Sequence, residues 1–253
     1  MQRALALDLE ADLEERLATR VERVAAGAAI FRDDLPRAGN LNVLRVDPES
    51  EAREPAELMQ VVEELQAGLP QRSIRVVDDA EAERLRPAFA GAGWVVQRAS
   101  LMAGLRPPDR PVDVSSVREV ELELLHDARE ATLRRAHRDL DSATALLAAG
   151  GLSPDGVETR AFAALVGADV AAYAVARVVG SAAKLTEVAA MERSHGHGLG
   201  RAVVWAAAAA LRRTGTRLVT MEAEDDDWAR STYQRLGFGE IGRIHRLVRP
   251  WGD

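Results

Sequence analysis

His195-Gly196-His197-Gly198-Leu199-Gly200-Arg201 separates an apolar run, Leu185 to Ala190, from an alanine-rich run, Ala202 to Arg213, and its reading decides the fold. The first run predicts a strand and the second, almost free of helix breakers, a helix. In that order the first N–H groups of the helix lack intrahelical partners and point into the loop, where the helix dipole places partial positive charge. An anion fits there. Glycines at 196, 198 and 200 let the backbone approach a diphosphate and adopt positive φ angles that a side chain would oppose.

Working outward, Thr159 to Val166 and Val170 to Val178 are apolar runs joined by Gly167-Ala168-Asp169, a hairpin signal. They follow a strand at Val114 to Leu122, a helix at Leu124 to His137 and a shorter helix at Asp141 to Ala149 closed by Gly150-Gly151. Beyond the glycine loop and its helix come a strand at Arg217 to Ala223, a helix at Asp227 to Arg235 and a last strand at Gly239 to Val248. In the other direction, Arg106-Pro107-Pro108-Asp109-Arg110-Pro111 forbids a continuous helix or a central strand. The expected organisation is therefore a domain over 1–105, a linker over 106–111 and a second domain over 112–253. Before the linker, apolar residues spaced by three to four from Leu5 through Val21 and Val24 predict one amphipathic helix over Leu5 to Ala26. A loop over Phe31 to Asn40 follows. Strands are then expected at Leu41 to Val46, Ser73 to Val77 and Trp94 to Ala103, with helices from Pro55 to Leu69 and from Ala80 to Ala90, the latter broken or delayed by Pro87.

The 253 residues, 47% hydrophobic, suffice for real cores. The longest apolar stretch, Ala202 to Leu211, is well short of the roughly 20 residues a membrane span needs. No export signal is visible, and a cytoplasmic location is expected. The absence of cysteine excludes disulfides, a thiolate nucleophile and cysteine metal sites, and is compatible with a reducing compartment. A net charge of −7 argues against a nucleic-acid-coating protein. Lys184 is the single lysine against abundant arginine and alanine, a coding bias that suggests a GC-rich genome.

The two halves share a rhythm. Val43, Ile74 and Trp94 correspond to Glu187 or Val188, Leu218 or Val219, and Phe238, each about 144 to 145 residues later. Gly93-Trp94 stands where Gly237-Phe238 stands. The stretch Asp47 to Pro55, where the first half would carry its own phosphate loop, has no glycine. Duplication with loss of one anion site and chance similarity of spacing both account for this.

With the loop, hairpin and following segment placed, the second half, from about residue 112 to 248, resembles the GNAT superfamily of N-acetyltransferases. That family's loop has the form Gln/Arg-x-x-Gly-x-Gly/Ala, met here by His195, Gly198 and Gly200 with histidine in the first position. A second motif, Asn-x-x-Ala-x-x-x-Tyr-x-x-x-Gly-Phe, is met by Ala229, Tyr233, Gly237 and Phe238, with Asp226 replacing asparagine. The first half resembles the degenerate GNAT-like domain of some bacterial two-domain members. The fold class implied is α/β of the α+β type, two GNAT-like domains each with a mixed sheet flanked by helices.

The resemblance implies an enzyme that holds acetyl-CoA between two splayed parallel strands and transfers the acetyl group directly to a primary amine of a small molecule or peptide. Val188, Ala189 and Ala190 would face the pantetheine arm, and His195, Gly196, His197, Gly198, Leu199, Gly200 and Arg201 the pyrophosphate, with Asp226 nearby. No metal, nucleic acid or membrane is implied; a monomer or homodimer is. Tyr233 is the candidate acid toward the departing thiolate, its phenol protonated at neutral pH. Glu187 is the candidate base, and a backbone N–H near Ala189 or Ala190 the carbonyl-polarising donor. Each has a plainer reading: Tyr233 as a packing aromatic, Glu187 as a solvated or structural carboxylate, His195 and His197 as a metal pair, and Trp205 and Trp228 as packing. The acidic run Glu222, Glu224, Asp225, Asp226 and Asp227 suits a solvated turn with an N-cap, a cation, or attraction of a cationic amine. A noncatalytic acyl-CoA sensor on the same scaffold is the alternative function. A P-loop nucleotide site is disfavoured because no lysine follows the glycines.

Overall fold

A computed structural model describes residues 1–47, 54–104, 106–137, 139–224 and 228–250. Its helices are α1 (Gln2–Leu17), α2 (Pro55–Leu65), α3 (Asp79–Gly91), α4 (His126–Ala136), α5 (Leu140–Gly150), α6 (Leu199–Arg213) and α7 (Trp228–Arg235). Its strands are β1 (Arg20–Val24), β2 (Gly27–Phe31), β3 (Val43–Val46), β4 (Gln71–Val76), β5 (Val95–Gly104), β6 (Val117–Val120), β7 (Glu158–Val166), β8 (Asp169–Val179), β9 (Ala182–Ala190), β10 (Leu218–Glu224) and β11 (Phe238–Pro250).

All of them join one 11-stranded mixed sheet in the order β1-β2-β3-β4-β11-β5-β10-β9-β8-β7-β6. The halves therefore share a sheet. Only β3–β4 and β9–β10 are parallel; the other neighbours run antiparallel. The centre is an exchange: β5 of the first half pairs with β10 and β11 of the second, and β11 pairs with β4 of the first. Each half's last strand thus completes the other half's sheet. Antiparallel ladders need no crossover connection, so strands far apart in sequence can pair this way.

Helices α2, α3, α6 and α7 cover one face, where Leu58, Val62, Leu85 and Phe89 pack on the first half and Val203, Val204, Ala207 and Leu211 on the second. Helices α1, α4 and α5 cover the other. The alanine-rich face of α6 is buried against alanines of β7 and β8, small residues that let helix and sheet approach closely.

The expected helix Leu5 to Ala26 ends earlier, at Leu17, and residues 20–31 form the β1–β2 hairpin instead. The reason lies in its turn. Gly27 has φ +144°, and a side chain there would sit 2.2 Å from the Arg45 carbonyl, so this hairpin edge closes only around glycine. Helix α3 continues through Pro87, which is exposed, because Leu85 and Phe89 on its inner face are fully buried. Strand β9 begins three residues earlier than the apolar run suggests. Residues 106–111 form neither helix nor strand but lie on the α7–β11 turn, with Arg106 N–H donating to Gly237 O at 3.2 Å and Asp109 N–H to Arg235 O at 2.8 Å.

Beneath α1 lies a buried charge cluster spanning both halves. Glu10 and Glu14 of α1 meet Arg75 of β4; Glu10 also meets Lys184 of β9, and Glu14 meets Arg45 of β3. Glu222 of β10 accepts from Lys184 (2.5 Å), Arg75 (3.2 Å) and Arg246 of β11. Burial disfavours its charge, but Lys184, Arg246 and Arg75 outweigh burial and hold Glu222 well below the usual carboxylate range. Glu222 is therefore a buried hub, not part of a solvated acidic turn.

Candidate active site at the β9–β10 splay

Strands β9 and β10 pair in parallel from Leu218↔Ala182 to Met221↔Leu185 and then separate. Past that point β9 stays paired to β8, with a register shift between Val175↔Glu187 and Ala176↔Leu185, while its edge toward β10 is unpaired. The opening is a V whose β9 side exposes backbone N–H and C=O groups that another chain of amides can meet.

The glycine loop stands at the mouth of the V. Gly196 and Gly198 have φ of +83° and +74°, and open space lies where a side chain would be. Gly198 caps α6 in the left-handed conformation, and Ala202 N–H is the first to bond back, to Gly198 O at 3.0 Å. The N–H groups of Leu199, Gly200 and Arg201 precede that bond and lie outside the helix ladder. A side chain at Gly200 would begin 3.6 Å from Ala190 Cβ, so α6 starts directly against the end of β9. His195 Nε2 donates to Ala190 O at 3.1 Å, tying the loop to the same strand end. His197 is exposed, and Nε of the half-buried Arg201 side chain is buried without a partner among the described residues. Backbone donors, positive-φ glycines and a guanidinium fit a diphosphate.

Strand alternation divides the remaining residues. Val188 and Ala190 pack toward α6, and Ala189 toward α4. Tyr233, on α7, is half-buried against the α6-side cluster. Glu187 faces α4, where Arg129 Nε and Nη2 donate to its two carboxylate oxygens at 2.8 Å each. Asp226, with Asp225 and Asp227, lies outside the described residues. The structure thus gathers the loop and strand residues at one end of the V and sets Tyr233 and Glu187 on opposite faces of the sheet.

Sequence reasoning missed three residues around Glu187. Arg129 is buried on α4; Tyr173 of β8 is 2% exposed; Arg177 of β8 is 4% exposed. Burial pushes the Tyr173 hydroxyl up to about 12, against the lowering effect of its hydrogen bond with Thr132, so it stays protonated. Burial opposes the Arg129 charge, but Glu187 outweighs it and raises its pKa. Arg177 donates to the carbonyls of Ala149, Gly150 and Leu152 at the end of α5, and burial lowers its pKa. One signal was available: Leu125, Ala128, Arg129 and Thr132 form an i, i+3, i+4, i+7 stripe, placing an arginine on the inward face. Among the described residues no three His, Asp or Glu side chains gather as a metal site requires, and no helix is long and apolar enough to cross a membrane.

Residues 122–238 match the model of the Acetyltransferase (GNAT) family. No curated protein matches the chain by sequence. Among solved structures, a GCN5-related N-acetyltransferase from Kribbella flavida is 19% identical with a TM-score of 0.68, the match covering 100% of this chain and 96% of that one. A functionally unknown conserved protein from Staphylococcus epidermidis is 14% identical with a TM-score of 0.66, covering 92% and 94%. A tandem GNAT protein from the clavulanic acid biosynthesis pathway is 15% identical with a TM-score of 0.55, covering 83% and 76%. At these identities the likeness is one of fold, and it extends over both halves. The strand splay and the glycine-led helix both lie within residues 122–238, the part of the chain that matches the GNAT acetyltransferase family.

Proposed function

We propose that the chain transfers an acetyl group from acetyl-CoA to a primary amine at the β9–β10 splay, and that residues 1–105 form a GNAT-like half without its own cofactor, connected through 106–111 to the catalytic half, 112–253. The observation that carries this reading is the end of β9–β10 pairing at Leu185↔Met221, directly before a helix that starts with free N–H groups. Backbone groups of Val188, Ala189 and Ala190 would bind the pantetheine amides. Loop residues 195–201 would bind the pyrophosphate. Bound acetyl-CoA supplies an activated thioester carbonyl.

The chain's own residues then have three tasks. The N–H of Ala189 or Ala190 polarises the carbonyl oxygen, as an oxyanion donor does. Glu187 accepts the amine proton directly or through one water, on carboxylate lone pairs that Arg129 leaves available. Tyr233 gives its phenolic proton to the leaving sulfur.

Transfer of labelled acetyl from acetyl-CoA across a panel of amines tests the reading. Tyr233→Phe should retain CoA binding and fold while turnover falls by about ten- to ten-thousand-fold, the range of general acid catalysis. Unchanged turnover across pH removes Tyr233 from the reaction. Tight CoA binding with no transfer to any amine favours the acyl-CoA sensor.

A further inference from the structure

We propose that Arg129 is the positioning residue of the acceptor side: its buried guanidinium, closed over by the end of α5, fixes the Glu187 carboxylate in one orientation toward the incoming amine. The inference rests on the proposed role of Glu187.

The contact is a two-point fork, which constrains the plane of the carboxylate as a single bond would not. The Arg129 side chain is 4% exposed and that of Glu187 22%, so the pair is shielded on the arginine side and open on the carboxylate side. Gly150, the last residue of α5, forms the cover. A side chain there would begin 1.9 Å from Arg129 Nη2 and 2.5 Å from Glu187 Oε1 and would have to displace the pair, so glycine lets the helix end rest on it. Arg177 holds that helix end in place through the carbonyls of Ala149, Gly150 and Leu152. On its far side α5 is braced by the first half: Leu35 and Leu41 pack with Leu146 and Ala149, and Arg37 pairs with Asp139. The cover over the candidate base is thus supported by the half that lacks a splay.

The charged and titratable groups facing Glu187 are Arg129 from α4 and Tyr173 and Arg177 from β8; α5 presents Gly150. Tyr173 is neutral, and Arg129 is the cation that pairs directly with Glu187. Losing Arg129 removes the two-point contact that fixes the plane of the carboxylate.

The experiment compares kcat and KM for the wild type, Arg129→Lys, Arg129→Gln and Glu187→Gln, each with a CoA titration. Arg129→Gln should lower kcat at least tenfold, with CoA affinity within about twofold. Arg129→Lys should also lower kcat, because a single ammonium cannot form the planar fork. Where Arg129→Gln fails to fold, the double variant Arg129→Gln with Glu187→Gln restores the fold without an uncompensated carboxylate, and the lysine variant carries the test. Unchanged kcat in a folded Arg129→Lys or Arg129→Gln protein overturns the inference while leaving Glu187 in place. Full activity of Glu187→Gln across pH overturns the role of Glu187 itself, and the inference with it.

Discussion

The two parallel strand pairs of this sheet begin alike and end differently. In the first half β3 and β4 stay paired to their last residues, Val46 against Val76. In the second, β9 continues five residues and β10 three beyond their last pair, Leu185 against Met221. The helices that follow differ in the same sense. Helix α2 starts with Pro55, which has no N–H, behind an N-cap glutamate, Glu54. Helix α6 starts behind Gly198 in the left-handed conformation. An anion therefore meets a missing donor and a carboxylate in one half, and free donors and glycines in the other. In the proposed function, the same architecture makes a cofactor cleft only where strand separation and a donor-rich helix start coincide.

The comparison suggests independent halves, yet the strand exchange argues that neither stands alone. The largest effect should come from Leu101→Pro. Leu101 is fully buried on β5 and pairs with Glu222 on one side and Gly242 on the other. A proline in this central strand removes a ladder bond, a loss tolerated essentially only at edges or bulges. Circular dichroism should show both halves lost in one transition; a surviving transition with half the amplitude would mean that the halves fold separately.

Glu222→Gln comes next. It leaves Lys184, Arg75 and Arg246 facing a neutral group, and breaking a buried pair of this kind costs about 3–5 kcal/mol. Because the folded-state pKa of Glu222 is depressed, its contribution is present above the ordinary carboxylate value of 4.5 and is lost as pH falls below it toward the folded value. Urea denaturation should show the wild type losing stability below that pH more steeply than the variant. Equal slopes would remove Glu222 from the cluster that binds the halves.

The smallest effect belongs to the loop. In Gly198→Ala the new Cβ meets nothing within 4 Å, so the cost is backbone strain at φ +74°, about 1 kcal/mol. The melting temperature should fall by a few degrees and CoA affinity several-fold. Unaltered CoA affinity would place the pyrophosphate elsewhere.

What the sequence made legible is what is local. The glycine loop, the β7–β8 hairpin and the alanine-rich helix each carry their signal within a dozen residues, and each stands where its spacing placed it. Residues 17–31 did not, because Val21 and Val24 continue a helical spacing that also fits a short strand, and Gly27 alone marks the hairpin. The exchange of β5 and β11 has no local signature: the prolines at 107, 108 and 111 suggest a boundary, and nothing in either strand names its partner. Glu222 sits in an acidic run that looks solvated, and only its place within β10 sets it among the cations of β4, β9 and β11. Arg129 is hidden in a charged helix for the same reason, its partner lying 58 residues away.

The central claim, one acyl-CoA site in the second half and none in the first, is tested most directly by isothermal titration of CoA against the wild type and Gly198→Glu. We predict one site per chain in the wild type and none in the variant, whose side chain brings a carboxylate to the pyrophosphate position. Two sites per chain, no binding to the wild type, or one site that survives Gly198→Glu would contradict it.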